Sequence, residues 1–239
     1  FSHTDPELCI DGINRELKAG AEQLHRASWL LVTFGTAYVY SLRETGKVVA
    51  NCHKLPASLF DRRRVGVDEM IRGWIPLIER LSDSNPELRI MFTVSPIRHL
   101  RDGAHENQLS KSVLLLFVDE LCRMYPDRCI YFPSYEIVMD ELRDYRFYDA
   151  GMTHPNEQAI RYIWERFSEA CFSEETQTLN REWERLEKAL NHRPLTPDKD
   201  AFRDFTMQNL FKLKKIWEKY SYFDLSKEID SLELFLKTL

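Results

Sequence analysis

Apolar and polar positions along the chain follow two different periods. In residues 7–27, Leu8, Ile13, Leu17, Ala21 and Leu24 fall near one face of a 3.6-residue repeat, which predicts an amphipathic helix. Residues 29–34, Trp-Leu-Leu-Val-Thr-Phe, are a short run of apolar and β-branched residues. Their length and composition predict a strand buried on both faces of a parallel sheet. The run stops on Gly35-Thr36, where a glycine lets the backbone turn and leaves its N–H open to a ligand. Tyr38 and Tyr40 then alternate with Val39, Thr45-Gly46 supplies a turn, and Val48-Val49 returns, so 37–49 reads as a β-hairpin. Asn51-Cys52-His53-Lys54-Leu55-Pro56 reads as a polar loop closed by proline.

The alternation continues. Residues 67–81 predict a helix carrying Met70, Ile71, Trp74, Ile75, Leu77 and Ile78, with a kink at Pro76. Residues 88–94 predict a second buried strand. Residues 95–107 form a long polar stretch directly after it, and such loops often carry function. A helix at 109–124 has an apolar centre at 113–118. A short third strand at 129–132, a helix at 135–142, a loop at 144–153 and a helix at 155–172 follow. Ile160, Ile163, Trp164 and Phe167 share one side of that last helix. Helix alternating with strand is the mark of a three-layer α/β/α sandwich on a parallel sheet.

After residue 172 the pattern becomes charged and helical. Leu179, Trp183, Leu186 and Leu190 form a stripe in 175–190, a linker with Pro194 and Pro197 occupies 191–198, and helices are predicted at 199–220 and 225–236. The expected division is therefore an α/β domain over 1–172 and a helical appendage over 173–239. The repeat is too short for an autonomous coiled coil. The stripe is assigned to packing within the chain, with a dimer seam as the alternative.

Composition narrows the function. The 239 residues give one large domain, or one with an appendage, and 44% hydrophobic residues suffice for a substantial core. A net charge of -5 excludes a nucleic-acid binder, which needs a basic face. Arg62-Arg63-Arg64 is the basic cluster, read as a solvated loop, with anion binding as the alternative. Five widely spaced cysteines without a Cys-x-x-Cys pair point to free thiols and a reducing, cytoplasmic compartment. No apolar run approaches the ~18 residues of a membrane span. The chain begins with Phe1 and has no strand before its first helix, so it is expected to be a fragment of a longer protein, and a targeting signal is not observable.

Three features fall where strands end: the Gly35 turn, the 95–107 loop and the approach to His154. Ligands of open α/β sheets bind at that edge. Proline is favoured at the first position of a helix, so Pro155 predicts His154 at a helix amino terminus. There the helix dipole disfavours imidazolium, and a neutral imidazole is what a general base requires. The alternative is that Thr153 or His154 only caps the helix. His99 and His105, with Arg98 and Arg101, are candidates to bind an anionic substrate; their spacing matches no standard metal site. Cys52 and His53 are adjacent, and adjacent side chains point apart, which disfavours a Cys/His pair. Asn51 is a candidate hydrogen-bond donor near Gly35 if the hairpin folds its loop back. Ser95 and Ser134 are nucleophile candidates by position, though neither sits in a Gly-x-Ser-x-Gly elbow.

Five segments in order, Thr33–Tyr40 (TFGTAYVY), Asn51–Pro56 (NCHKLP), Ser95–Leu100 (SPIRHL), Phe132–Glu136 (FPSYE) and His154-Pro155, closely resemble the GSCFA-domain proteins, a bacterial branch of the SGNH (GDSL-type) hydrolases. The resemblance covers nearly the whole chain. It implies a flavodoxin-like fold and hydrolysis of a small-molecule or glycan acyl ester without a cofactor or metal. In that superfamily a serine attacks the acyl carbon, a histidine takes its proton, an aspartate three residues earlier orients the histidine, and backbone and asparagine donors hold the oxyanion. Carried over, His154 is the base and Gly35 the oxyanion glycine, beside Thr36. The superfamily's Gly-x-Asn-Asp reads Gly35-Thr36-Ala37-Tyr38 here, which leaves Asn51 as a candidate replacement; His53, Arg98 and His99 complete the expected binding set. Two positions depart from the pattern. The serine motif lies upstream of Phe1, and the residue three before His154 is Gly151, which leaves Asp149, nearby but out of register, as the candidate catalytic partner of His154. The chain as it stands is expected to be inactive. A non-catalytic binding module and an O-acyltransferase to a sugar hydroxyl are the alternatives.

Overall fold

A computed structural model of the chain describes residues 3–190 and 199–237; the linker expected at 191–198 lies outside them. The chain divides into two compact units, residues 1–164 and 165–239.

The first unit opens with helix α1 (Pro6–Arg26), whose amino end is fixed locally: Asp5 accepts a hydrogen bond from the Glu7 N–H at 2.9 Å and Pro6 takes an opening helical position. Along its length Leu8, Ile10 and Leu17 stay exposed. Its far end is tied down, because the Asn85 amide donates to Leu24 O at 3.0 Å and Ala27 O at 2.9 Å. Asn85→Ala is expected to cost about 1–2 kcal/mol, two ordinary hydrogen bonds. Limited proteolysis should then cut within α1 faster than in the parent; an unchanged cleavage pattern would show that the helix is held elsewhere.

Strand β1 (Trp29–Phe34) pairs in parallel with β5 (Arg89–Val94), in register from Trp29↔Arg89 to Phe34↔Val94. Strand β6 (Cys129–Tyr131) pairs in parallel with the other side of β5, giving the order β1-β5-β6. Helices α2 (Val67–Ser84) and α3 (Gly103–Met124) cover one face, where Ile90, Phe92 and Val94 pack with Ile78, Leu114, Phe117 and Leu121. Phe34, Trp74, Phe92 and Phe117 interlock with ring centroids 5.2–6.0 Å apart, mostly edge to face. On the opposite face Thr93 hydrogen-bonds the Ser134 hydroxyl at the start of a short helix, α4 (Ser134–Glu136), which continues as a wide π turn, Ile137–Glu141. Parallel strands with helices packed on them, followed by further helices, make the α/β architecture expected from the alternation.

Several elements differ from the sequence pattern. Strand β1 is not buried on both faces: Trp29 is 41% and Leu31 55% exposed, and among the described residues it pairs with β5 alone. Helix α2 extends three residues past the expected 67–81, with Pro76 inside it. The hairpin forms as β2 (Tyr38–Leu42) and β3 (Val48–Val49), with Gly46 at φ +66° in the turn. The arginine cluster, however, is not a loop. It is strand β4 (Phe60–Arg64), antiparallel to β2, and each arginine is paired with a carboxylate. Arg62 grips Asp102 with both nitrogens at 2.5 and 2.7 Å, Arg63 grips Glu69, and Arg64 reaches Glu106 at 2.8 Å. The free-anion alternative is therefore occupied by the protein's own acids. Finally, α3 starts at Gly103, so most of the expected 95–107 loop is a 3₁₀ turn and helix.

The second unit contains α6 (Glu174–Leu190), α7 (Lys199–Lys219) and α8 (Ser226–Leu236). Its core joins Leu179 and Leu186 of the predicted stripe to Leu213, Ile216, Tyr220, Leu225 and Ile229, with Trp183 and Leu190 partly buried against it.

Candidate functional site

The polar groups of the first unit gather where β1 and β5 end. Lys111 of α3 is fully buried, and its ammonium donates to Gly35 O and Ser95 O, both at 2.6 Å. It thus bridges the carbonyls that follow the two strands. One residue earlier, the Ser110 hydroxyl accepts from the Ala37 N–H at 2.8 Å and lies 3.1 Å from the Thr36 hydroxyl. The Gly35–Thr36 corner is therefore held from behind by α3. No carboxylate partners Lys111 in these bonds, and burial pulls its ammonium down to about 8.

His99 closes the same corner from the β5 side. Its N–H donates to the Asn107 side chain at 2.9 Å, and its ring Nε2 would lie 3.6 Å from a Cβ added at Gly35. Burial lowers the His99 pKa and the Lys111 cation pushes the same way, while a hydrogen bond to the Gly35 carbonyl opposes them. Gly35 itself has no left-handed φ; the positive-φ glycines of the described residues are Gly46 and Gly103. What the missing side chain leaves at this corner is room beside the His99 ring.

The preceding residue links this corner to His154. The Arg98 N–H donates to Thr153 O at 3.2 Å, and its guanidinium lies over Tyr148 at 4.3 Å. The 148–155 loop closes on itself: Asp149 N–H donates to His154 O at 2.8 Å, Met152 takes φ +59°, and Tyr148 bridges to Pro155. That closure carries the Asp149 carboxylate back over residue 151. Its Oδ2 lies 3.7 Å from His154 Nδ1, its Oδ1 accepts at 3.4 Å from the N–H groups of Thr153 and His154, and a Cβ at Gly151 would meet it at 3.4 Å. Nearer to His154 Nδ1 is the Thr153 hydroxyl, at 2.9 Å. The imidazole is 58% exposed. A cleft of about 300 Å³ adjoins Arg98, lined also by Pro96, Asn107, Gln108, Tyr135 and Tyr145.

Other predicted residues sit differently. His154 is not at a helix amino terminus: α5 (Glu157–Cys171) begins three residues later, and Asn156 is the residue whose side chain accepts from Ala159 N–H at 3.1 Å. Pro155 is spent on the bridge to Tyr148, so the dipole of α5 does not act on His154 at close range. Asn51 is exposed and accepts locally from the His53 N–H at 2.7 Å, and His53 has φ +49°. His105 lies on α3, not in a loop with His99. Ser95 accepts from the Ile97 N–H, and Ser134 donates to Val94 O. Among the described residues no group of three or more His, Cys, Asp or Glu is placed to hold a metal, and no helix is long and apolar enough to cross a membrane.

Sequence reasoning missed Lys111 and Ser110. A signal existed: residue 111 stands in helical register with Leu114, Val118 and Leu121, the buried stripe of α3. A lysine at such a position has no water to solvate it and must find partners inside.

By fold and site, this is an α/β domain whose charged and polar groups converge at the carboxy ends of its parallel strands, followed by helices. The chain belongs to the GSCFA family: the GSCFA family model matches residues 1–167, and the model for the GSCFA domain protein, C-terminal domain, matches residues 183–238. No curated protein and no solved structure matches it.

Proposed function

We propose that the first unit carries the acid–base and oxyanion parts of an SGNH-type serine esterase acting on a small-molecule or glycan acyl ester. In this reading the nucleophilic serine comes from a segment upstream of Phe1. His154 takes the serine proton, then returns it to the departing alcohol; water repeats the cycle on the acyl-enzyme. Asp149 orients the imidazole. The Thr36 N–H, in the same peptide unit as the Gly35 carbonyl, donates to the developing oxyanion. Because Lys111 draws on that carbonyl, the peptide is polarised and its N–H becomes a stronger donor. The cleft beside Arg98 has the size of a small ligand and would hold one arm of the ester.

The observation that supports this reading best is the continuity of the 95–99 segment: His99 sits against Gly35 while the Arg98 N–H binds Thr153 beside His154. Asp149→Asn keeps the acceptor for the two loop N–H groups and removes the charge. It is expected to lower kcat in the full-length protein by roughly 10- to 100-fold, less than the ~10,000-fold of a buried triad aspartate, because this carboxylate is half exposed and 3.7 Å away. An unchanged kcat would remove Asp149 from the mechanism. Gly151 and that same 3.7 Å gap favour a second reading, a binding module that has lost turnover. Covalent labelling of the full-length protein by a fluorophosphonate supports the esterase; complete inertness supports the module. The transferase variant differs in acceptor, and product analysis with a sugar present separates it.

A further inference from the structure

The largest cavity described above belongs to the first unit, yet a larger groove lies within the second. It has a volume of about 460 Å³ and runs between α6 and α7. Its floor is apolar, formed by Leu186, Ala189, Ile216 and Tyr220. Its rim is cationic: Arg185, Lys212, Lys215 and Lys219 stand against one acid, Glu182. On α7 the three lysines recur at i, i+3 and i+7, so they share one face. Among the described residues, Arg185 and Lys212 have no carboxylate within salt-bridge distance, whereas Lys219 is spread between Glu175 at 3.9 Å and the Tyr220 ring.

Asn209 also lines this groove. It is 3% exposed, a polar side chain in the wall of the groove. An amide offers two donors and an acceptor, so a wall that carries one can donate to an anionic head. Positive charge at the rim, an amide in the wall and an apolar floor answer to one ligand chemistry: a compact anionic head with an aliphatic tail.

We propose that this groove binds a medium-chain aliphatic carboxylate. Its head is held by Lys212, Arg185 and the Asn209 amide, and its tail lies over Leu186 and Ile216. The groove volume falls within the range of small-ligand sites. The site is distinct from the ester reading above and uses residues of the second unit alone.

Isothermal titration of the 239-residue chain tests this with three probes: decanoate below its micelle concentration, decyltrimethylammonium with the same tail and opposite charge, and inorganic phosphate without a tail. Decanoate is expected to bind one to one, and the other two not measurably. The Lys212→Glu, Lys215→Glu double variant, which changes exposed rim positions, is expected to weaken decanoate by roughly tenfold or more, the scale of a lost charged hydrogen bond. Asn209→Ala, which removes the amide without adding bulk to the wall, should weaken decanoate, and a melting curve on the same sample checks that the chain stays folded. No decanoate binding overturns the proposal, as does equal binding of the cationic amphiphile. Phosphate binding as tight as decanoate overturns the role of the floor, and decanoate binding indifferent to all three substitutions places the ligand elsewhere.

Discussion

Replacing His154 with Ala in the full-length protein is expected to lower kcat for a short-chain acyl ester by roughly 100- to 10,000-fold, the contribution of a positioned base. The expected stability change is small. The imidazole is more than half exposed, and its one close polar neighbour is the Thr153 hydroxyl. The main-chain bonds that shape the loop, Asp149 N–H to His154 O and Arg98 N–H to Thr153 O, survive the substitution. Loss of turnover without loss of thermal midpoint is thus the signature of the assigned role. Stopped-flow or steady-state kinetics, with a melting curve on the same sample, reads both. Unchanged turnover ends the assignment of His154 as the base, and a collapsed melting curve reassigns it to structure.

Lys111→Met should act in the opposite manner, through the fold. Two buried carbonyls, Gly35 O and Ser95 O, lose their donor at once, each at about 1–3 kcal/mol, so a loss of about 2–4 kcal/mol is expected near neutral pH after relief of the buried charge. The pH dependence gives a sharper test. Burial lowers the lysine from 10.5 to about 8, so between those values the folded chain binds fewer protons than the unfolded one. Stability then rises with pH across that window: the penalty on the charged form is fully present below about pH 8 and gone above 10.5, a span of about 3 kcal/mol. The neutral amine still offers two N–H groups, matching its two carbonyl partners. Other groups titrate there as well, including the Cys129 thiol, which burial raises to about 11. The difference between the parent and Lys111→Met removes them. Urea unfolding at pH 7.5 and pH 10.5 should show the stability gap widening at the higher pH. A constant or shrinking gap means the ammonium is not penalised by burial as described.

Much of the frame was legible because local pattern and tertiary environment agree. The runs at 29–34 and 88–94 are apolar enough to be strands in a packed sheet, and Thr45-Gly46 supplies the left-handed φ that its turn needs. Where the pattern failed, the partners were distant. Three consecutive arginines read as solvated, yet their carboxylates come from α2, the 3₁₀ turn before α3 and α3 itself, from 6 to 42 residues away. The opening of α3, Gly103 to Gln108, holds helix formers in Ala104, Glu106 and Gln108 but no apolar stripe to mark them as helix, while Asp102 and Glu106 are fixed by Arg62 and Arg64. Asp149 is a catalytic candidate that stands out of register with a triad spacing. Spacing along the chain does not measure distance through a closed turn, and this turn brings the carboxylate back to within 3.7 Å of the ring. Asn51 was the reverse case, plausible by order in the chain but occupied locally with His53.

The Arg98–Thr153 main-chain bond has a consequence for how this domain tolerates change. It acts as a yoke between two segments 55 positions apart, because it does not depend on which side chain either position carries. Insertions or deletions on one side are therefore transmitted to the other whatever the sequence drift at 98 and 153. The exception is proline at 98, which has no hydrogen to give and would uncouple the pair.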